Sequence, residues 1–301
     1  MREDGFKSIR KATGLSALIS PKMNKALREW ARAYLNTSNW LTKDIVSLNI
    51  PATVASEIAR LVTIENEITV TGSQRADYID RQLEQFRKAE KNIVEMACAF
   101  GGAVFKPYAS GDKVIIDCIY QDEIYPFRFD GNGNITGVIF PTYIFKKNRV
   151  YTRLEIHDYD EKNYSIQNRA FVSKNTRLND GIVTDIGHEI QLSEVEEWKD
   201  IKPEINIKGL DAPLFSCFMI PIANNIDKKS PLGVSVYARA ISEFKKADIQ
   251  ASRIEWEYES KEAAIDVDES YIETDIYGSK ILPKGKERLF RTYRAETYSS
   301  E

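Results

Sequence analysis

Residues 224–261 read NNIDKKSPLGVSVYARAISEFKKADIQASRIEWEYESK, a stretch that predicts one long helix behind a stiff turn. Pro231 and Gly233 end whatever precedes them, because proline fixes φ and glycine permits a sharp reversal. No further Pro or Gly occurs between Val234 and Lys261. At about 1.5 Å per residue, this run of roughly 28 residues predicts a rod on the order of 40 Å long.

Apolar side chains recur along this rod at steps of three and four residues, a spacing that places them on one face of a helix. A thin apolar face on so long a rod needs neighbours, either from its own chain or from other copies of it. The predicted packing residues of this seam are Tyr237, Ile241, Phe244, Ala251, Ile254 and Tyr258. A single long core helix of a monomer remains the alternative interpretation.

The composition is that of an ordinary globular protein. The chain has 301 residues and a formal net charge of −3, so no sequence-wide basic surface indicates nucleic-acid binding. No run of residues is apolar and long enough for a membrane span, and the polar N-terminus is not typical of a signal peptide. Cys98, Cys118 and Cys217 each lie among apolar residues, which predicts small buried side chains and no disulfide framework.

The remaining chain predicts an α+β fold, in which a helical layer packs on an antiparallel β-meander. Helical periodicity predicts helices over residues 21–36, from residue 49, and over residues 73–100. Alternating patterns rich in Ile, Val, Tyr and Phe predict strands over residues 104–108, 113–120, 123–129, 135–145, 149–157, 164–172, 188–198 and 214–220, with a loop over 203–209. After Lys261 the pattern breaks into strand fragments at residues 264–268, 271–273, 282–285 and 289–293, with nothing following to complete a sheet. We expect the sequence to be a C-terminally truncated form.

Motifs that carry chemistry are weak in this sequence, and we predict no catalytic residue, cofactor or metal. Asp130, Asn132 and Asn134 begin like a calcium loop but lack its turn glycine and closing glutamate, so a hairpin turn is the better interpretation. Asp122–Glu123 and the acidic run 194–197 could serve a hydrolase, but adjacent carboxylates on a strand point to opposite faces. Arg149, Arg153 and Arg169 on neighbouring strands could form a modest basic patch, but a solvated sheet face is the better interpretation.

The order of these features resembles the portal proteins of tailed bacteriophages, in particular the Gram-positive siphophage type. The stretches that carry the resemblance are residues 49–51, 57–61, 65, 99–108, 122–127, 130–133, 135–137, 151–157 and 231–235 leading into the long helix. The resemblance spans nearly the whole chain, and its specificity lies in the order and spacing of these stretches. The second stem helix, the tunnel loop, the long wing helix and the crown of the family have no counterpart in this sequence.

The resemblance implies an α+β wing domain over residues 1–233, the first stem helix over 234–263 and a partial clip domain over 264–301. It implies a cyclic homo-oligomer, a dodecamer, at one capsid vertex of the virion, assembled in the host bacterial cytoplasm. The implied partners are the terminase large subunit, a head-completion or adaptor protein, the major capsid and scaffolding proteins, and transiently bound double-stranded DNA, with no membrane. The ATPase activity would belong to the terminase, so the resemblance implies no enzyme here.

The charges of the long helix agree with a channel that lets duplex slide. Several phosphate contacts already give strong, salt-sensitive binding, so a conduit should be near neutral. The helix mixes Arg239, Lys245, Lys246, Arg253 and Lys261 with Glu243, Asp248, Glu255, Glu257, Glu259 and Glu262. Lys246, Arg253 and Glu257 are the candidate channel-facing residues. Two alternatives remain: another structural virion protein, such as a minor capsid protein or a head-tail adaptor, and a hydrolase that uses strand carboxylates.

Overall fold

Helices make up the first hundred residues of the protein. The computed structural model describes residues 3–146, 148–174, 185–263, 265–268 and 290–293. Its first helices are α1 (Glu3–Thr13), α2 (Pro21–Tyr34), α3 (Ile50–Thr63), α4 (Gln74–Gln82) and α5 (Glu84–Phe100). Ser20 caps α2 by accepting a hydrogen bond from the Met23 N–H, and α5 ends at Gly101 with φ of 91°. Both ends follow the usual preferences for helix caps.

The predicted helix over residues 73–100 is wrong as one element, because it is broken at Leu83 between α4 and α5. The Arg87 guanidinium donates hydrogen bonds to the main-chain carbonyls of Asp80 and Ile68. The Asp80 carbonyl would otherwise accept the next hydrogen bond of a continuous helix. The Arg87 side chain therefore takes the place of one main-chain hydrogen bond of the helix.

Antiparallel strands follow the helices, and this order confirms the predicted α+β class. The strands are β1 (Gly102–Ser110), β2 (Lys113–Tyr120), β3 (Tyr125–Phe129), β4 (Ile135–Lys146), β5 (Arg149–Asp160), β6 (Asn163–Lys174), β7 (His188–Ile190), β8 (Glu204–Lys208) and β9 (Ser216–Met219). One sheet has the order β2-β1-β9, and the other has the order β3-β4-β5-β6-β7 with β8 also paired to β6. The long β4-β5-β6 hairpins form the predicted meander.

Two assignments after the meander were wrong. The predicted strand 188–198 keeps only β7 and then turns into 3₁₀ helices at Leu192–Glu194 and Glu196–Trp198. Leu192, Val195 and Trp198 recur every third residue, which is the 3₁₀ period, and they are buried against Ala170. The predicted loop 203–209 contains β8, whose alternating burial fits its pairing with β6.

A buried polar cluster connects β1 of the first sheet to β5 and β6 of the meander. Lys106 is 8% exposed, and its Nζ lies 2.8 Å from Glu155 Oε2. The other oxygen of Glu155 accepts a hydrogen bond from His157 Nε2 at 2.8 Å, since a carboxylate can only accept. That proton position leaves His157 Nδ1 to accept from the Tyr164 hydroxyl. Arg153 Nη2 lies 3.2 Å from Glu155 Oε2, so one carboxylate serves three cationic or donor groups.

The long helix begins later than predicted: α6 spans Ile241–Ala263, which is 23 residues. Residues 233–237 are held out of helical geometry by bonds to other elements. Gly233 exchanges two hydrogen bonds with the buried Gln121 amide, and the Val236 N–H donates to the Cys98 carbonyl. Tyr237, a predicted seam residue, therefore lies outside α6, and its hydroxyl donates to the Trp30 carbonyl at 3.0 Å.

The chain divides into two units by its internal contacts. The first unit contains residues Met1–Ser38 and Asn49–Ile241, and the second contains Asn39–Leu48 and Ser242–Glu301. In the second unit β10 (Ile265–Asp268) pairs in parallel with β11 (Phe290–Tyr293), so these two fragments complete a small sheet that the sequence did not predict. The fragments at 271–273 and 282–285 lie outside the described residues. The predicted limits of wing, stem and clip stay predictions.

Candidate functional site

A short N-terminal segment, residues 39–48, lies along α6 in the second unit, and we call it the strap. Asp248 Oδ2 accepts a hydrogen bond from Trp40 Nε1, and its Oδ1 accepts one from the Leu48 N–H, both at 2.9 Å. Ser252 Oγ accepts from the Val46 N–H at 3.0 Å. Asp248 is only 4% exposed. Asp248, counted among the mixed charges of the helix, therefore binds the strap instead of facing solvent.

The predicted seam divides into a covered part and an exposed part. Phe244 is buried, and Ile241 and Ala251 are half-buried. Ile254 and Tyr258 are 55% and 68% exposed. The covered face runs through Phe244, Asp248 and Ser252 at steps of four residues, so two of its three positions are polar. The sequence did not identify Asp248 and Ser252 as covered, because a polar residue has the same helical spacing whether it is covered or exposed to solvent.

Two partly exposed apolar patches lie on roughly opposite sides of α6, since successive residues turn by about 100°. Flank A consists of the half-buried Ile249 and the exposed Trp256, and flank B consists of the half-buried Ala247 with the exposed Ile254 and Tyr258. Trp256 is 64% exposed, comparable to the exposure of Tyr258 on the other side. Sequence reasoning grouped flank B with the covered face and did not identify flank A, because Trp256 is out of step with the seam.

Charged residues border the two flanks unequally. The predicted channel-facing residues Lys246, Arg253 and Glu257 are all exposed and lie between the flanks, away from the strap. Lys245 and Arg253 border flank A, whereas Glu243 and Glu257 border flank B. Lys246 Nζ lies 3.0 Å from Glu243 Oε1, an exposed i,i+3 pair of small energetic weight. Glu255 and Glu259 lie along the groove beside flank A, so that border carries both signs, whereas the carboxylates Glu243 and Glu257 border flank B.

An open groove of about 690 Å³ lies between the strap and flank A. Its lining combines apolar side chains with charges of both signs: Lys43, Asp44, Ile45, Val46, Ile249, Ser252, Arg253, Glu255, Trp256 and Glu259. Val46 is 61% exposed, so the strap adds its own apolar surface to flank A.

Replacing Asp248 with Ala is expected to release the strap. The Trp40 indole and the Leu48 amide would lose a charged acceptor, and hydrogen bonds to charged groups contribute about 1.5–3 kcal/mol each. Amide hydrogen exchange of residues 39–48 should accelerate by at least about tenfold, while exchange in the β4-β5-β6 meander stays unchanged. The matched control is Glu257→Ala, an exposed carboxylate on the same helix. Unchanged protection of the Val46 and Leu48 amides would show that Asp248 does not hold the strap.

We expected the carboxylates considered for hydrolysis to lie on strands, but the structure places them in 3₁₀ turns. Asp122 and Glu123 lie in the 3₁₀ turn Gln121–Glu123. Burial, with the nearby Glu123 charge, raises the pKa of Asp122 to about 7. In the acidic run, Glu197 forms a hydrogen bond with Lys146 and Glu196 forms one with Lys199, both at 2.6 Å.

The other candidate motifs have structural partners. Asp130 accepts hydrogen bonds from the backbone of Asn132 and Asn134, which confirms the predicted hairpin turn. The predicted solvated basic face is wrong in part, because Arg153 is paired with Glu155 and Arg169 forms two hydrogen bonds with Glu189.

In the described part of the chain, no group of three or more His, Cys, Asp or Glu side chains is placed to hold a metal ion. Among the same residues no helix combines the length and apolar character needed to cross a bilayer. Comparison with known proteins gives no assignment, since neither a protein-family model nor a curated protein sequence matches this chain.

Proposed function

We propose that this chain is a subunit of a phage portal, a head-to-tail connector ring through which double-stranded DNA is packaged and ejected. The observation that carries the proposal is the pair of partly exposed apolar flanks on opposite sides of α6. A subunit in a closed ring contacts one neighbour with one surface and the next neighbour with a different surface. Flanks A and B are two such surfaces on one helix, and Lys245 and Arg253 beside flank A are opposite in sign to Glu243 and Glu257 beside flank B.

The charges between the flanks support a conduit more than a DNA-binding surface. Lys246, Arg253 and Glu257 carry both signs, and all three are exposed. A protein that grips duplex gains affinity from each cation that neutralises a phosphate, and a stripe of mixed charge gains little in this way. In this proposal the terminase supplies the ATPase, and this chain supplies the wall of the channel and surfaces for the terminase and head-completion proteins.

The proposal is tested by the assembly state of the purified chain. We expect mass photometry and negative-stain images to show rings with a central hole. Ile254→Lys with Tyr258→Lys should convert the rings to monomers. Each substitution removes the favourable free energy of burying an apolar side chain, about 1.5–3 kcal/mol, at every interface. Val62→Lys is the control, since Val62 is 57% exposed but lies on α3. A wild-type chain that stays monomeric at micromolar concentration, or rings that survive the double substitution, would contradict the proposal.

A further inference from the structure

The strand β9 forms an open edge of the sheet β2-β1-β9. The Ile220 N–H, directly after the strand, donates to the Gly101 carbonyl at 3.0 Å and therefore points toward β1. Successive backbone groups of a strand point to alternate sides, so the N–H groups of Cys217 and Met219 point away from β1. In the described part of the chain no group accepts a hydrogen bond from either of them. A strand edge with free donors is a template for a further strand.

An open groove of about 590 Å³ lies beside this edge, and both Cys217 and Met219 line it. Its other walls come from the β3–β4 turn, residues 130–136, and from the loop at residues 211–213. Phe215 adds apolar surface. When a peptide joins the edge of a sheet, main-chain hydrogen bonds supply affinity and side-chain contacts supply specificity. The groove offers the surfaces for both.

Both charged side chains that line the groove among the described residues are carboxylates, Asp130 and Asp211. The side-chain amide and the backbone N–H of Asn134 donate to Asp130 and lower the pKa of its carboxyl, so it stays ionised. Asp211 lies 3.2 Å from Lys162 Nζ, but both side chains are largely exposed, so this pair is weak and a ligand cation can compete for Asp211. The charge of the groove therefore favours a cationic ligand.

We propose that the groove beside β9 binds an extended segment of a partner protein that carries lysine or arginine, and that this segment pairs with β9 as a further strand. Its backbone carbonyls accept hydrogen bonds from the Cys217 and Met219 N–H groups, and its cations face Asp130 and Asp211. The same two carboxylates select against an acidic segment. Every lining residue belongs to the first unit, so the proposal is independent of the assembly of α6.

The test compares three fluorescent peptides with blocked termini in anisotropy titrations of the whole chain. The probe is the hexapeptide KVTVTK, and EVTVTE is the charge control. The backbone control is KVTVTK with N-methyl groups on its third and fourth residues, which removes a donor from each edge of the extended peptide. At an ionic strength of about 0.01 M we expect the probe to bind at least about tenfold more tightly than either control. Equal binding of the probe and either control, or no binding of the probe at millimolar concentration, would overturn the proposal.

Met219→Pro tests the edge of β9. The substitution removes one outward N–H and no hydrogen bond to β1, and proline is tolerated on the outer side of an edge strand. The probe should then bind at least about tenfold more weakly. Met219→Leu keeps the N–H and should bind the probe as the wild type does. Unchanged binding to a folded Met219→Pro chain would show that the peptide does not pair with β9.

Asp211→Lys tests the charge of the groove, and it supplies a result even if Met219→Pro does not fold. The Asp211 side chain is 89% exposed, so we expect its replacement to leave the fold intact. The preference for KVTVTK over EVTVTE should fall at least about tenfold. The control is Asp200→Lys, which changes an exposed carboxylate outside the groove and should keep the preference. A preference that survives Asp211→Lys would place the peptide elsewhere and contradict the assignment.

Discussion

Replacing Glu155 with Leu is expected to lower the free energy of unfolding by about 3–5 kcal/mol, because the change leaves the Lys106 ammonium without its closest counter-charge in a buried position. Lys106 is 8% exposed, and its remaining partner is Asp117 at 3.6 Å, whose side chain is 49% exposed. His157 would also lose the acceptor for its Nε2 proton. Urea denaturation of the wild type and the variant would measure the difference.

The matched control removes both charges. In Lys106→Met with Glu155→Leu no buried charge is left unpaired, and apolar replacement of a buried ion pair is often neutral. We therefore expect the double variant to recover most of the lost stability. Glu57→Gln, which removes an exposed ion pair with Arg60 on α3, should change little. A single Glu155→Leu variant that loses less than about 1 kcal/mol would show that the pair is already solvated.

The same cluster predicts sensitivity to acid. Burial alone raises the pKa of Glu155, but the hydrogen bond from His157 and the charge of Lys106 outweigh it and lower the pKa to about 2. A pKa lowered by folding contributes stability above the unfolded value, about 4.3 for Glu, and this contribution is lost as the pH falls toward 2. Wild-type stability should therefore decline through this window, and the decline should be shallower in Glu155→Leu.

The meander was predictable because its signals are local. Residues 149–156 alternate, with Val150, Leu154 and Ile156 on one face, and turn residues such as Asp130 to Asn134 separate the strands, so the local signals agree. The strap was not predictable. Trp40 and Asp248 are 208 residues apart, and no local pattern links an indole N–H to a carboxylate at that separation. The predicted start of α6 was wrong for the same reason. Residues 233–236 are held by groups far away in the sequence, the Gln121 amide and the Cys98 carbonyl.

Part of the candidate site could also be predicted from the sequence. The period of three and four residues identified Ile254 and Tyr258, which the structure leaves exposed on α6. The same pattern could not identify the face covered by the strap, because two of its three positions, Asp248 and Ser252, are polar. Trp256 on flank A needed the structure, since one large side chain does not make a periodic pattern.

Reversing the charges beside one flank of α6 is expected to abolish assembly. In the A-reversed variant, Lys245→Glu with Arg253→Glu, anions border both flanks. In the B-reversed variant, Glu243→Lys with Glu257→Lys, cations border both flanks. Like charges across an interface cost several kcal/mol, and the cost recurs at every contact of a ring. Mass photometry should find each variant monomeric at an ionic strength near 0.01 M, where the Debye length is about 30 Å.

A mixture of the two variants tests which flank meets which. If flank A of one copy contacts flank B of the next, the A-reversed chain presents anions to the cations of the B-reversed chain on both of its sides. Assembly should then return in an equimolar mixture, with the two chains alternating and the copy number even. Contacts between identical flanks predict a different result, because an A-reversed chain would then associate with itself no worse than the wild type does. Assembly of either variant alone, or a mixture that stays dissociated, would therefore rule out the head-to-tail contact on which a ring depends.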